Sequence, residues 1–382
     1  MTADWDAVIA GGGLSGLSLA AHLAADGWHD RRVLVVDDPD GPKTDAWAYW
    51  AARPIGAGVL DAAVCRSFDR VRIHAAGTSA TVALGRYRYR VVRRRDLRRV
   101  VLGRLHGCPG FELVEGHVDA VTDAGDAALT SIDGRAVRSV WAFDGVTRDP
   151  QAPPAAAHLA FTGWDVVAEQ PLFDPDAPVL MDFRVAPGTG CRFVYTLPRD
   201  AYRALVELTE FVPQRAAVPT DAERSHALAA YLRDTAGCHT YAVRRREAAV
   251  IPLRTRARGQ DPGRVVRIGA AGGLVKASTG YAYQRIQRDS EAIVASLVTH
   301  AHPLHRPRSH WRHRLLDAVL LEVLDRDPGQ LEIAFSRLFR GHPAERVLAF
   351  LDEDTTRREE LALISSLPAR PYLQALLARP RR

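Results

Sequence analysis

Alternation and runs of apolar residues order the chain into mixed α and β elements. Ala7-Val8-Ile9-Ala10 is an unbroken apolar run, as in a strand buried on both faces. Leucine and alanine at helical spacing then predict a helix over 14–25. Arg32-Val33-Leu34-Val35-Val36 is a second strand, ending in Asp37. Further on, 39–42 reads as a turn and Trp47-Ala48-Tyr49-Trp50 as an aromatic cluster in a loop, either packed locally or walling a site. Alternation over 68–83 predicts a hairpin. Residues 89–105 start extended and turn helical, with Leu97, Val101 and Leu105 on one stripe.

Three strand-like runs follow in 111–142, and 150–157 is rich in Pro and Ala, like a crossover. The next hundred or so residues alternate as strands, in LAFTGWDVVAE, PVLMDFRV, CRFVYTLP, RALVELTEF and EAAVIPL. One amphipathic helix, 221–235, interrupts them. A strand over 265–269, a glycine-rich loop over 270–280 and a helix over 286–298 come next. Helices are then predicted at 314–325, 330–339, 344–351 and 359–365.

The junction of the first strand and helix carries chemistry. Gly11-Gly12-Gly13-Leu14-Ser15-Gly16 is a G-x-G-x-x-G run. Gly11 permits the tight turn, Gly13 lets the backbone approach a pyrophosphate, and Gly16 lets the helix pack on the strand. The N–H groups that open the helix face the phosphates. Asp37 stands about twenty residues on, where a carboxylate accepts from a ribose hydroxyl. The order of these parts predicts a dinucleotide site. Its position at the head of the chain suits FAD better than NAD, although the fingerprint itself serves both.

The expected fold is α/β: a discontinuous Rossmann-like FAD-binding domain over 1–60, 86–150 and 260–300, with an inserted antiparallel β-sheet substrate domain over 61–85 and 151–259. A helical C-terminal region occupies 301–382.

Composition narrows the partners. The 382 residues are 47% hydrophobic and 25% charged, ordinary for a globular protein. There is no apolar run long enough to span a membrane, and the first strand starts with no signal peptide ahead of it. The net charge of +6 is almost all arginine, since Lys43 and Lys276 are the only lysines. It reads as a solvated surface, or as attraction to anionic lipid. No nucleic-acid motif accompanies it, so nucleic acid is not an expected partner. Cys65, Cys108, Cys191 and Cys238 are widely spaced, as reduced thiols of a cytoplasmic protein. His300, His302, His305, His310 and His313 are broken by prolines and read as a basic linker, with no metal site.

Several blocks, taken in order, resemble the FAD-dependent lycopene cyclase family: GGGLSGLSLAAHL, AWAYW, MDFRV, FVYTLP, ALVELT, VIPL, STGYAY and FLDEDT. The resemblance implies a redox-neutral ring closure in carotenoid biosynthesis. A ψ end of lycopene is protonated, the cation closes to a six-membered ring, and a proton is lost to give a β ring. It implies FAD in its reduced form, with NAD(P)H as reductant. Glu207 matches the family's catalytic glutamate. In flavin hydroxylase-like folds an arginine at the start of the 94–105 helix holds the pyrophosphate, which makes Arg94 or Arg95 the candidate beside a reading as solvated charge. Gly269, Gly272, Gly273, Thr279 and Gly280 are the backbone expected to approach the flavin.

The residues themselves allow two readings of Glu207. Leu205, Glu207, Thr209 and Phe211 share one strand face. If that face is buried, desolvation raises the carboxyl's pKa toward that of a general acid; if it faces water, Glu207 is an ordinary surface residue. Glu210 points the other way. The chain departs from the family at Leu208, at Ala46-Trp47, at Gly269-Ala270, where hydroxylases have Gly-Asp, and at Lys276-Ala277. An aromatic-hydroxylase type of FAD monooxygenase stays open as an alternative, with Asp144-Gly145 and Arg148 as a partial motif. So do a cyclase of another polyene and a flavin- or carotenoid-binding protein. A lipid-dissolved substrate calls for peripheral membrane association, through the C-terminal helices and Arg379, Arg381 and Arg382.

Overall fold

The computed structural model describes residues 3–41, 44, 46–75, 77–147, 152–255, 263–303 and 310–378. The chain begins with β1 (Trp5–Ala10), α1 (Leu14–Ala25) and β2 (Val33–Asp37), the expected βαβ unit. Next come β3 (Ala46–Ala51), β4 (Val64–Phe68), the hairpin β5 (Arg70–Ala75) and β6 (Thr78–Ala83), and β7 (Arg88–Arg93). The aromatic cluster expected in a loop is therefore a strand. Its four residues could not reveal the ladder, because the partner, β7, lies some forty residues away and pairs Trp47 with Val92.

α2 (Arg94–Leu105) leads to β8 (Phe111–Glu115), β9 (Val118–Asp123), β10 (Ala128–Ile132) and β11 (Arg135–Asp144). The first predicted run in this stretch is two strands. Gly116 breaks it, because β8 pairs parallel with β2 while β9 pairs antiparallel with β10.

The middle of the chain forms β12 (Ala157–Ala168), β13 (Val179–Asp182), β14 (Cys191–Pro198), β15 (Arg203–Pro213), α3 (Asp221–Ala230) and β16 (Tyr241–Leu253). A π-helical turn, Tyr231–Thr235, completes α3. Then follow β17 (Val265–Arg267), α4 (Tyr283–His300), α5 (Trp311–Arg326), α6 (Gly329–Gly341), α7 (Ala344–Leu351), α8 (Arg357–Ser365) and α9 (Ala369–Leu377). The last helix lies within the expected helical C-terminal region, beyond the four helices predicted individually there. Pro371 falls in the first turn, where a missing N–H costs no helical bond.

Two large sheets organise these elements. The nucleotide-type sheet has the order β8-β2-β1-β11-β10-β9, with β17 also paired to β11, and its β8, β2, β1, β11 and β17 are parallel. Its core joins Ile9, Leu17, Val35, Leu97, Phe143 and Ile293. The second sheet runs β16-β12-β15-β14-β13-β5-β6. It is antiparallel except where β13 meets β5; the β5–β6 hairpin arrives from elsewhere in the chain, so no tight turn fixes its direction. β3, β7 and β4 make a small third sheet.

Strand alternation divides β15 between two cores. Leu205 and Phe211 face inward, into a cluster shared with Phe193, Leu159 and Phe335 and Leu351 of the C-terminal helices. Val206 and Leu208 face outward onto Leu228 and Leu232. The departure at Leu208 is thus explained by packing: it fills the outer core and is fully buried there.

Candidate active site

The glycine run behaves as its spacing predicts. Gly11 has φ +108°, where only glycine is at ease. A side chain at Gly16 would strike the Gly11 carbonyl oxygen, whereas Gly13 faces open space with nothing within 4 Å. No side chain caps the start of α1. The N–H groups of Leu14, Ser15 and Gly16 therefore stand where phosphate oxygens can take them.

Asp37 is buried beside this turn. Arg94 donates to its two oxygens at 3.1 and 3.3 Å, and Arg98 at 2.9 Å. These contacts take most of a carboxylate's roughly four acceptor positions. Arg94 also donates to the Gly12 carbonyl at 3.2 Å and lines the adjoining cavity. The structure separates the two candidate arginines, because Arg95 is exposed and lies off the cavity.

The glycine-rich loop after β17 closes the other side. A side chain at Gly269 (φ +59°) would come within 2.5 Å of Ser15 Oγ, and one at Gly280 would strike Leu159. Ala270, Thr279 and Gly280 line the cavity. Gly272 and Gly273 instead shape the turn, their N–H groups bonding the carbonyls of Ile268 and Ala270 at 3.0 and 3.1 Å. The partial hydroxylase motif is occupied by the fold. Asp144 is buried, accepts from the Val146 and Thr147 N–H groups at 3.0 and 2.9 Å, and pairs with Arg267 at 3.2 Å. Arg148 lies outside the described residues.

A cavity of about 420 Å³ runs from Gly13, Ser15 and Arg94 to the inner face of the second sheet. Trp47 and Trp50 wall it, and Tyr49 beside them stacks on Tyr283 at 4.1 Å. At its far end Phe161, Phe193 and Phe211 surround Glu207. The face that carries Glu207 is therefore the buried one.

Glu207 is 5% exposed. Thr209 Oγ1 donates to its Oε1 at 3.2 Å, and the Tyr195 hydroxyl also hydrogen-bonds it. Burial, with Glu247 adding to it, pushes the carboxyl up to about 8. Burying a neutral carboxyl with no hydrogen bond costs about 1–3 kcal/mol; the bonds to Thr209 and Tyr195 reduce that cost, and burial of neighbours such as Leu205 and Phe211 offsets the rest. An ionised carboxylate there would cost far more, so the proton stays. Burial likewise raises Tyr195 and Tyr89, and Tyr281 to about 12. Tyr89 and Tyr281 share a hydroxyl contact of 3.1 Å.

Glu210 lies on the outer face, fully buried. Arg192 grips one of its oxygens at 2.8 and 2.7 Å, and the Gly190 N–H donates at 2.7 Å to the other. It holds the fold together and does not approach the cavity.

Tyr195 and Glu247 are parts of this site that reading the strands as blocks had missed. Two-residue alternation applied to FVYTLP and EAAVIPL carries both onto the face of Glu207. Lys276 is buried and bridges Asp317 at 3.0 Å and Glu353 at 2.8 Å, so this departure ties the flavin-side loop to the C-terminal helices. Among the described residues the four cysteines are free, and no group of three potential metal ligands occurs. His305 lies outside them.

The uncapped helix, the open side of Gly13, Arg94 and a cavity that continues to the sheet fit a flavin dinucleotide, with its pyrophosphate at the helix start.

This is a two-sheet fold of the flavoprotein type, with an acid at the joint. A geranylgeranyl bacteriochlorophyll reductase-like protein from Thermoplasma acidophilum is similar in structure, with TM-score 0.62 and 12% identity over 98% of this chain and 96% of that one. A probable FAD-dependent monooxygenase from Pseudomonas aeruginosa matches with TM-score 0.56 and 18% identity, over 92% of this chain and 100% of that one. At these identities the likeness is one of fold. The family model for lycopene cyclase protein matches residues 6–377, and the chain belongs to that family. A lycopene beta-cyclase from Pseudescherichia vulneris is 32% identical over 161 residues, which span 37% of this chain and 40% of that protein.

Proposed function

We propose that the chain closes the ψ ends of lycopene to β rings, with reduced FAD bound and no net redox change. One observation carries this reading: Glu207 is a buried carboxyl on the wall of an apolar cavity that continues to the glycine-rich turn.

The residues support each step. Leu159, Phe161, Phe193 and Phe211 offer a hydrocarbon only apolar contact. Glu207 holds a proton at neutral pH and donates it to the terminal double bond. The neighbouring double bond attacks the resulting cation and closes the ring, and loss of a ring proton restores an alkene. One proton enters and one leaves, so mass is unchanged. The aromatic faces of Tyr195, Phe211 and Trp50 stabilise passing positive charge. A dry lining keeps water from trapping the cation as an alcohol. Thr209 and Tyr195 fix the direction of the Glu207 carboxyl. When bound, reduced FAD would supply negative charge beside the cation, worth more in a dry site than in water. Leu14, Ser15 and Arg94 would hold its pyrophosphate, and NAD(P)H would serve as reductant.

The same proposal places the protein peripherally on the cytoplasmic side of a membrane. No helix among the described residues is long and apolar enough to cross one. However, Trp311, Leu361, Leu373, Leu376 and Leu377 are exposed on the C-terminal helices. A second apolar cavity of about 400 Å³ opens among these helices, reaching Leu373 and Leu376, and shares Phe335 and Leu351 with the first. That continuity supports entry of the polyene from the lipid side. Arg379, Arg381 and Arg382 lie outside the described residues.

The test is expression of the wild type and Glu207→Gln in lycopene-accumulating cells, with pigments separated and weighed by mass. The expected result is cyclic isomers of unchanged mass from the wild type and none from the variant. Products heavier by oxygen would point to a monooxygenase. Unchanged lycopene with a folded, flavin-loaded protein would point to another polyene or to a binding role.

A further inference from the structure

We propose that Glu247 is the positioning residue of the site: it stands beside Glu207 across Gly163 and keeps the proton of Glu207 in place. The proposal deepens the cyclase reading and rests on it for its kinetic test only.

The sheet register carries it. β12 lies between β15 and β16, and Gly163 of β12 is paired with Glu207 on one side and Glu247 on the other. Residues directly opposite one another in a sheet point to the same face, so the three positions form one row across the inner face. The middle position has no side chain. A Cβ built at Gly163 would lie 3.1 Å from Glu247 Cγ, 3.1 Å from Glu247 Oε1 and 3.3 Å from Glu207 Oε2. Both carboxyls thus lean into the space that glycine leaves open. Gly163 is in extended strand, so conformational freedom does not call for glycine there, and room for two acids does.

Two carboxyls this close cannot both ionise cheaply, and the like charge raises the pKa of the partner. Glu247 is buried, yet it does not line the cavity. Glu207 is the member that meets substrate. The asymmetry divides the work, with Glu247 supplying the like charge and Glu207 keeping the proton at the cavity wall.

Among the described residues the other groups facing Glu207 are neutral. They are Tyr195 from β14, Tyr89 from β7, Tyr281 from the glycine-rich loop and Thr209 on its own strand. From the helical side, Phe335 of α6 is the apolar neighbour in the same cavity. Along β16, Arg245 pairs in register with Asp165, which Arg199 bridges at 3.1 Å, while Arg246 lies over the Trp164 ring at 4.9 Å.

The experiment compares purified flavin-loaded wild type, Glu247→Gln and Glu247→Asp on lycopene in vesicles, from about pH 5 to about pH 10. Glu247→Gln is expected to lower the upper pH midpoint of the rate by at least about one unit, a tenfold loss on the alkaline side. Its rate near pH 5 and its KM should stay close to the wild type's, and Glu247→Asp should keep the wild-type midpoint. An unmoved midpoint in Glu247→Gln, or an equal loss at every pH, would overturn the proposal. Infrared difference spectra of the protonated-carboxyl stretch over the same range read the midpoint without turnover. They decide the matter for the pair in a protein that does not cyclise lycopene. A titrating band absent in Glu207→Gln and shifted down in Glu247→Gln supports the pair, and an unshifted band refutes it.

Discussion

Glu207 and Glu210 lie three residues apart on one strand, both buried, and the two faces of the sheet treat them oppositely. On the outer face Arg192, Thr189 and the Gly190 N–H surround Glu210 with donors. On the inner face Glu207 meets a threonine, a tyrosine and a second acid, with no cation to balance it among the described residues. The nucleotide end follows the outer face, since Asp37 and Asp144 are both held by arginine. Burial alone therefore does not mark the acid we propose to be reactive. What marks it is burial without a compensating charge, which leaves a proton on a carboxyl at neutral pH.

The strongest way to break this comparison is to remove the proton itself. Glu207→Gln keeps the shape and should lower cyclisation by at least about a hundredfold, the lower end of what a general acid contributes. The purified variants' initial rates check it, and retention of a tenth of the activity would remove Glu207 from the chemistry. On the outer face, Arg192→Ala should leave an uncompensated charge on Glu210 and cost about 3–5 kcal/mol of stability. The check is the denaturant midpoint; a loss below about 1 kcal/mol would mean that Glu210 simply takes up a proton, and the two faces would then differ less than proposed.

Titration sharpens the same contrast. Glu207 must be protonated to act, so the rate should be level below about pH 7 and fall about tenfold per unit above about pH 8. The stability sign follows from the raised value. The folded state keeps a proton that the unfolded chain releases near 4.5, so stability falls as pH rises from about 4.5 to about 8 and is level beyond. Glu207→Gln should flatten that slope and be the more stable protein at pH 8, as thermal melts at both ends of the range can test. An unchanged slope would show that some other group titrates there.

How much of this could be read from the chain depends on the range of the forces involved. The βαβ unit was legible because its glycines, helix and second strand are local: Gly16 packs on a carbonyl five residues away. Glu207 was legible as a face partner of Leu205 and Phe211, but whether that face was wet or dry depended on Phe335 and Leu351, more than a hundred residues on. Alternation along β16 gives the face of Glu247, but its place beside Glu207 was hidden for the same reason. Its meaning lies in a register with Gly163, and register is set by the whole sheet. β3 was missed at shorter range, because it needed its partner β7.

The helical region offers the mildest test. The inner-face cavity shares a wall with the apolar space among the C-terminal helices, through Phe335 and Leu351. If lycopene enters there, the membrane must lie against α9, whose Leu373, Leu376 and Leu377 are exposed. Full burial of a leucine is worth about 1.5–3 kcal/mol, and a side chain that only reaches the headgroup boundary gains a fraction of that. Leu376→Ser with Leu377→Ser should therefore reduce flotation with anionic liposomes by less than about tenfold, and slow cyclisation of vesicle-borne lycopene in proportion. Leu102→Ser, at an exposed leucine of α2 on the nucleotide side, should change neither. Equal loss from both would mean that the protein meets lipid without a preferred face, and the shared wall between the two cavities would then not be the route of entry.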